Sequence, residues 1–212
     1  DGTAIGKRRP QVETTIYLVD KPGAAQSVIC VGHPTIPHRN PDYYALSLLN
    51  YVFGGSPVSR LFMNLRQDKG YSYGYYSTID WLIGPSVLLA GGAVETAVTK
   101  ESVIETLKEF SDIRGGRPVT KDEFDAARDG IFKGFPSQFE TLGQLVSQLG
   151  NLALFGLPDD YYSNYVAKLE AVTLDEVRRI GAERIDDGHL IVLVVGDRGG
   201  IEPGLKELGL PI

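Results

Sequence analysis

The sequence holds one cysteine, Cys30, in 212 residues, so no internal disulfide can form and the fold needs none. Lying inside a predicted strand, Cys30 reads as a small buried hydrophobe, and it leaves the compartment open. No apolar run approaches the ~20 residues that a membrane-spanning helix requires. Like charges form no block and the net charge is −6, which argues against a nucleic-acid partner. Histidine is scarce: His33, His38 and His189 are the three. The first two lie five apart in a predicted Pro-rich loop over 33–41, and His189 opens a predicted strand. Neither His-x-x-Glu-His nor His-Glu-x-x-His occurs, so no metal site of the chain's own is expected, and the loop histidines read as solvated. The stretch from Gly54 to Ser59 lacks the Gly-Lys-Ser/Thr ending of a phosphate loop and reads as a helix stop followed by an N-cap at Ser59. Gly-x-Ser-x-Gly is absent, which removes an esterase-type nucleophile elbow.

What is present is ordinary for a soluble globular domain: 42% hydrophobic and 23% charged residues. Residues 1–13 carry no initiating Met and no apolar signal core, and are expected to be a linker or N-terminal extension of a chain cut from something longer. Residues 14–212 are expected to form a single domain. Strands are predicted at 14–20, 26–32, 71–81, 85–94 and 189–195. Helices are predicted from Asp42, an expected cap, to 53, and over 59–69, 100–113, 121–131 and 141–155, from Asp159 or Asp160 to about 171, and over 174–185 and 202–208. Thr120-x-x-Glu123 and Thr173-x-x-Glu176 are capping-box patterns. The strand over 85–94 is apolar almost throughout, which places it inside a sheet, and Gly91-Gly92 marks a bulge or a close backbone approach. Strands in sequential pairs and helices in runs define an α+β fold, two-layered, with a mainly antiparallel sheet packed on several helices.

The stretch from Leu65 to Gly74 carries the chemistry. It runs from a striped helix through a Gly turn into a Tyr-rich strand, and sets Arg66 and Tyr73 seven residues apart. Arg66 offers a rigid fork of donors, and Tyr73 a hydroxyl that can donate to a carbonyl or a developing oxyanion. Tyr71, Tyr73 and Tyr75 share one face by period two, and with Tyr76 and Trp81 they either line a core or receive an extended peptide by strand addition.

Taken in order, several pieces resemble one family. They are Gln26-Ser27-Val28; Asn40 to Leu46; Phe53-Gly54-Gly55 with Ser59-Arg60-Leu61-Phe62; and Asn64-Leu65-Arg66-x-x-Lys69-Gly70-x-x-Tyr73-Gly74. Val119-Thr120-x-x-Glu123-Phe124-x-x-Ala127, Phe155 to Tyr161, Ala171-Val172-Thr173 and Val194 to Asp197 follow. The series is similar to the second, non-metal-binding (inactive) domain of the pitrilysin or insulysin family of zinc peptidases, which includes mitochondrial processing peptidase. The resemblance runs from about residue 14 to 210. It implies two similar α+β domains closing around an extended peptide. A homologous partner, in cis or trans, would carry zinc on His-x-x-Glu-His, and this chain would bind no cofactor itself. Arg66 and Tyr73 match the family's substrate-holding pair, and Tyr71 stands where many members have Leu. The implied function is the substrate-clamping domain of a zinc metalloendopeptidase, inert alone. The alternative is a catalytically silent assembly subunit of the same family. A homodimer of the fragment is also admitted. Bacterial members are often exported, which points to the periplasm or cell envelope, with the cytoplasm left open.

Overall fold

The computed structural model describes residues 12–212, so most of the linker expected over 1–13 lies outside the described residues. Five strands form one sheet: β1 (Thr15–Asp20), β2 (Gln26–Thr35), β3 (Ser72–Asp80), β4 (Ser86–Glu95) and β5 (Ile191–Gly196), in the order β1-β5-β2-β4-β3. β1 runs parallel to β5, and the other three pairings are antiparallel. β4 is an inner strand, as its apolar sequence predicts, and the Tyr-rich β3 is an edge. The helices are α1 (Tyr43–Phe53), α2 (Arg60–Phe62, continued by a π-helical turn, Met63–Asp68), α3 (Thr99–Ser111), α4 (Lys121–Gly134), α5 (Leu142–Phe155), α6 (Tyr161–Glu170), α7 (Leu174–Arg184) and α8 (Arg198–Lys206). This is the expected α+β class, with a mixed, mainly antiparallel sheet.

Alternation along each strand sends one set of side chains into the core and the other outward. Ile16, Ile29, Val31, Tyr75, Leu88, Val94 and Val192 are buried together with Leu49 and Phe53 of α1, Phe110 of α3 and Ile180 of α7. The opposite set forms a row across all five strands, Tyr17, Leu193, Cys30, Gly91 and Tyr76, paired in register. That face is apolar yet open, with Tyr17, Val28 and Leu193 each at least one-third exposed. Burial, then the charge of Asp80, raises the Cys30 thiol above its ordinary range.

Gly91 is dictated by close approach: a Cβ there would lie 2.1 Å from the Ile29 carbonyl oxygen and 3.1 Å from Cys30 Cα. Gly91→Ala must force β2 and β4 apart. It is expected to cost more than about 4 kcal/mol, measured as a fall of thermal midpoint on the order of 10 °C or failure to fold.

Both expected capping boxes form, Thr120 with Glu123 and Thr173 with Glu176, and Thr141 with Gln144 adds a third. Other local expectations are corrected. Asp42 stands at the start of α1 but makes no side-chain cap; its carboxylate is taken by Arg179 and Arg184 at 2.8 and 3.1 Å. Ser59 likewise donates its hydroxyl to the Ser56 carbonyl at 2.6 Å instead of capping α2. His33 and His38 are buried, not solvated. β2 runs on to Thr35 and takes His33 with it, where the ring lies 2.8 Å from the Pro34 carbonyl and accepts from the Asp186 amide. His38 is stacked 4.1 Å from Phe155 and lies 4.4 Å from the tilted Tyr43 ring, and burial holds its pKa below the ordinary value. The last helix begins earlier than expected, at Arg198.

Candidate functional site

The seven-residue spacing of Arg66 and Tyr73 becomes a direct contact. Arg66 leaves the π-helical turn with its guanidinium carbon 5.8 Å from the Phe62 ring on one side and 5.8 Å from the Tyr73 ring on the other. Phe62 in turn lies 5.3 Å from Tyr76. The four side chains make a ladder of rings and cation at the edge strand. Each cation–ring contact is worth ~0.5–1 kcal/mol at an exposed site. Among the described residues Arg66 has no salt bridge and no hydrogen bond, so its donors are left for something else. Tyr73 is 86% exposed, extreme for a tyrosine in a strand.

Two local devices produce this geometry. The first is the π turn, closed by Lys69 N–H donating to the Asn64 carbonyl at 3.0 Å. Such insertions shift the phase of a helix and recur at functional sites. Here α3 holds both ends of the turn. Asn64 donates to Glu105 at 3.0 Å and to Glu109 at 2.9 Å, and Lys69 pairs with Glu105 at 3.2 Å. Glu109 is itself buried and bound by Arg117 at 2.8 Å. A charged groove of about 510 Å³ runs beneath the turn between these residues, and neither Arg66 nor Tyr73 lines it. Gly70, at φ +68, then reverses the chain into β3.

The second device is a β-bulge. Ser72 pairs with Val94 but Tyr75 pairs with Gly92, so β3 carries one extra residue between them. The Ser72 hydroxyl bridges the bulge, 2.8 Å from the Gly74 carbonyl and 2.7 Å from that of Ala93. The bulge overturns the expected period-two face. Tyr75 is fully buried, its hydroxyl 2.8 Å from Thr106 Oγ1, and burial pushes its pKa up. Tyr73 is turned out to solvent. Tyr71 is half-buried against the core. Trp81 joins the His38 cluster at the far end of β3, its ring 5.8 Å from His38.

The sequence alone named Tyr76 within the aromatic run but did not mark Phe62, Ser72, Asn64 or Glu109 as parts of the site. Ser-x-Gly at the strand start opposite a Gly pair is the one signal that points to the bulge.

Among the described residues no group of three His, Cys, Asp or Glu side chains is placed to hold a metal ion. Nor is any helix of the described residues long and apolar enough to cross a membrane.

The fold and site together define an α+β domain whose sheet edge carries the Arg66 and Tyr73 pair. Comparison with known proteins shows the family of that domain. The family described as the peptidase M16 inactive domain matches residues 3–131, a span that contains both Arg66 and Tyr73. The chain belongs to that family. The "uncharacterized zinc protease YmxG" of Bacillus subtilis is 26% identical over 196 residues, covering 91% of this chain and 47% of that protein. A crystal structure of a peptidase M16 inactive domain from Pseudomonas fluorescens superposes with TM-score 0.77 at 20% identity, over 87% of this chain and 44% of that one. A chain of Complex III2 from Candida albicans has TM-score 0.75 at 10% identity, over 92% of this chain and 49% of its own length. The chain thus spans half or less of the length of the curated relatives it matches.

Proposed function

We propose that residues 14–212 are the substrate-clamping domain of a zinc-dependent metalloendopeptidase, working against a homologous domain that carries the zinc. The observation that carries this reading is the Arg66 and Tyr73 pair itself. It places an unpaired guanidinium and an outward phenol side by side at a sheet edge, next to an open apolar face. An extended peptide laid along β3 gains main-chain hydrogen bonds from the strand edge and apolar contacts from the face. Arg66 offers its fork to backbone carbonyls of that peptide. Tyr73 donates its hydroxyl to the carbonyl oxygen at the bond to be cleaved, where negative charge builds. The membership of this family and the zinc-protease names of its relatives support the reading.

The test is turnover of a peptide by the two-domain assembly. Arg66→Ala and Tyr73→Phe each lower the rate while zinc content stays constant; unaltered turnover in both variants sinks the proposal. The competing reading is a catalytically silent assembly subunit, a role compatible with the occurrence of this fold in Complex III2. It wins if the companion domain has no His-x-x-Glu-His.

A further inference from the structure

A cavity of about 230 Å³ lies where the loop before α1 meets the turn between α5 and α6. No carboxylate lines it, but two cations do, Arg39 and Lys168. Among the described residues neither is in an ion pair. The Lys168 ammonium sits 5.9 Å from the Tyr161 ring centre. Arg39 reaches across to Gly156, where a Cβ would stand 3.7 Å from its Nη1. The acids that begin α1 and α6 are engaged elsewhere: Asp42 by Arg179 and Arg184 at 2.8 and 3.1 Å, and Asp160 by the Asn164 amide at 2.8 Å. The wall holds unmet hydrogen-bonding groups as well. Five buried side-chain polar atoms lack a partner among the described residues, and three of them, His38 Nδ1, Tyr44 Oη and Tyr161 Oη, belong to residues of this cavity. His38 and Tyr161 are only 8% and 6% exposed. Buried polar groups are normally satisfied, so three left over around one space mark it as unfinished without a polar guest.

We propose that this cavity is a binding site for a small oxyanion, a carboxylate or a phosphate, carried on a flat apolar body. The planar fork of Arg39 matches two oxygens of such a group, and Lys168 adds a second charge from α6. The rings of Tyr43, Tyr44 and Tyr161 offer apolar walls to the body that carries it. Aromatic walls by themselves would also suit an organic cation, but two unpaired cations at the same cavity repel one. The volume sets the size of the guest, since drug-sized ligands occupy ~300 Å³ or more. Neither Arg66 nor Tyr73 lines the cavity, so the site stands apart from the peptide clamp and does not depend on it.

The chain carries its own reporter. Trp81 is its one tryptophan, with its ring 4.6 Å from Tyr43 and 5.8 Å from His38, two residues of the cavity wall. The test titrates the 212-residue chain with benzoate and, separately, with inorganic phosphate, against sodium chloride at equal ionic strength. A saturable change in Trp81 emission is expected with at least one of the two and not with chloride. Tighter binding of benzoate assigns an aryl carboxylate, and tighter binding of phosphate assigns a phosphate group. Arg39→Gln is expected to weaken the affinity about tenfold or more, and Lys168→Gln to weaken it less. Arg39→Lys should regain only part of the loss, because the fork is gone. Both side chains are exposed, so the ligand-free thermal midpoints should match the parent. Arg66→Gln should leave the titration unchanged, which separates this site from the clamp. No saturable response to either anion overturns the proposal, as does a response that Arg39→Gln and Lys168→Gln both leave intact. A fall in the ligand-free midpoint of Arg39→Gln with unaltered anion affinity assigns Arg39 to the end of α5 instead, and also overturns it.

Discussion

Arg60→Ala is expected to cost the fold about 3–5 kcal/mol, the range for breaking a buried ion pair by removing one partner. The Arg60 side chain is 4% exposed and makes a two-pronged pair with Glu123, Nε to Oε1 at 2.7 Å and Nη2 to Oε2 at 2.8 Å. Its remaining donors take the carbonyls of Arg117 and Pro118. One guanidinium therefore ties α2 to the start of α4 and to the segment before it. Alanine leaves two carbonyls and a carboxylate without that partner. Glu123 keeps its capping-box bonds to Thr120 and is 30% exposed, so water recovers part of the loss and the lower end of the range is favoured. Arg60→Met, which fills the space without a charge, should cost less than alanine. The pH dependence has a definite sign. Burial alone would raise the Glu123 carboxyl, but the hydrogen bonds and charge of Arg60, with the Thr120 backbone, outweigh it and hold the group down at about 2. A depressed carboxylate stabilises the fold above its unfolded value, about 4.3, and that contribution fades as pH falls toward 2. Denaturant unfolding at neutral pH and near pH 2 checks this. The gap between wild type and Arg60→Ala should narrow in acid, and an equal gap at both would remove the ionic account.

The elements were legible because periodicity and capping act locally. Thr120-x-x-Glu123 names the start of α4 from four residues, and the structure places it there. The sheet order was not legible, since β5 inserts between β1 and β2 from the far end of the chain and no local signal records that pairing. Asp42 and Ser59 show a second limit. Each is a good capping residue in sequence, yet Asp42 is claimed by two arginines at residues 179 and 184, and Ser59 by a carbonyl three residues back. Distant or competing partners overrule a local propensity. At the candidate site, spacing singled out Arg66 and Tyr73 as an expected pair. It could not show that they touch, because contact depends on a π turn fixed by Glu105 and Glu109, some 40 residues downstream of Asn64. The bulge at Ser72 misled the period-two rule in the same way: one extra residue moved Tyr73 out and Tyr75 in.

Under the proposed clamping function, removing the Tyr73 hydroxyl or the Arg66 side chain is expected to lower kcat/KM of the proposed two-domain assembly by about 10²–10³-fold, which is the usual loss for one oxyanion donor, ~2.7–4 kcal/mol. The two losses should not add. The Tyr73 ring leans on the guanidinium at 5.8 Å, so each side chain orders the other. A double variant is therefore expected to fall close to the worse single, as groups acting as a unit do. Three substitutions at these positions separate the roles. Tyr73→Phe keeps the ring and its contact with Arg66 but deletes the donor. Tyr73→Ala deletes both. Arg66→Lys keeps the charge but loses the planar fork and the stacking, and should recover little of the lost rate. With Tyr73 at 86% exposure, Tyr73→Phe has no packing to lose, so its thermal midpoint and zinc content should match the parent. That makes it the cleanest of the set: a loss there cannot be blamed on folding. If Tyr73→Phe instead retains full rate while Tyr73→Ala does not, the ring serves only to hold Arg66. The carbonyl is then gripped by the guanidinium alone.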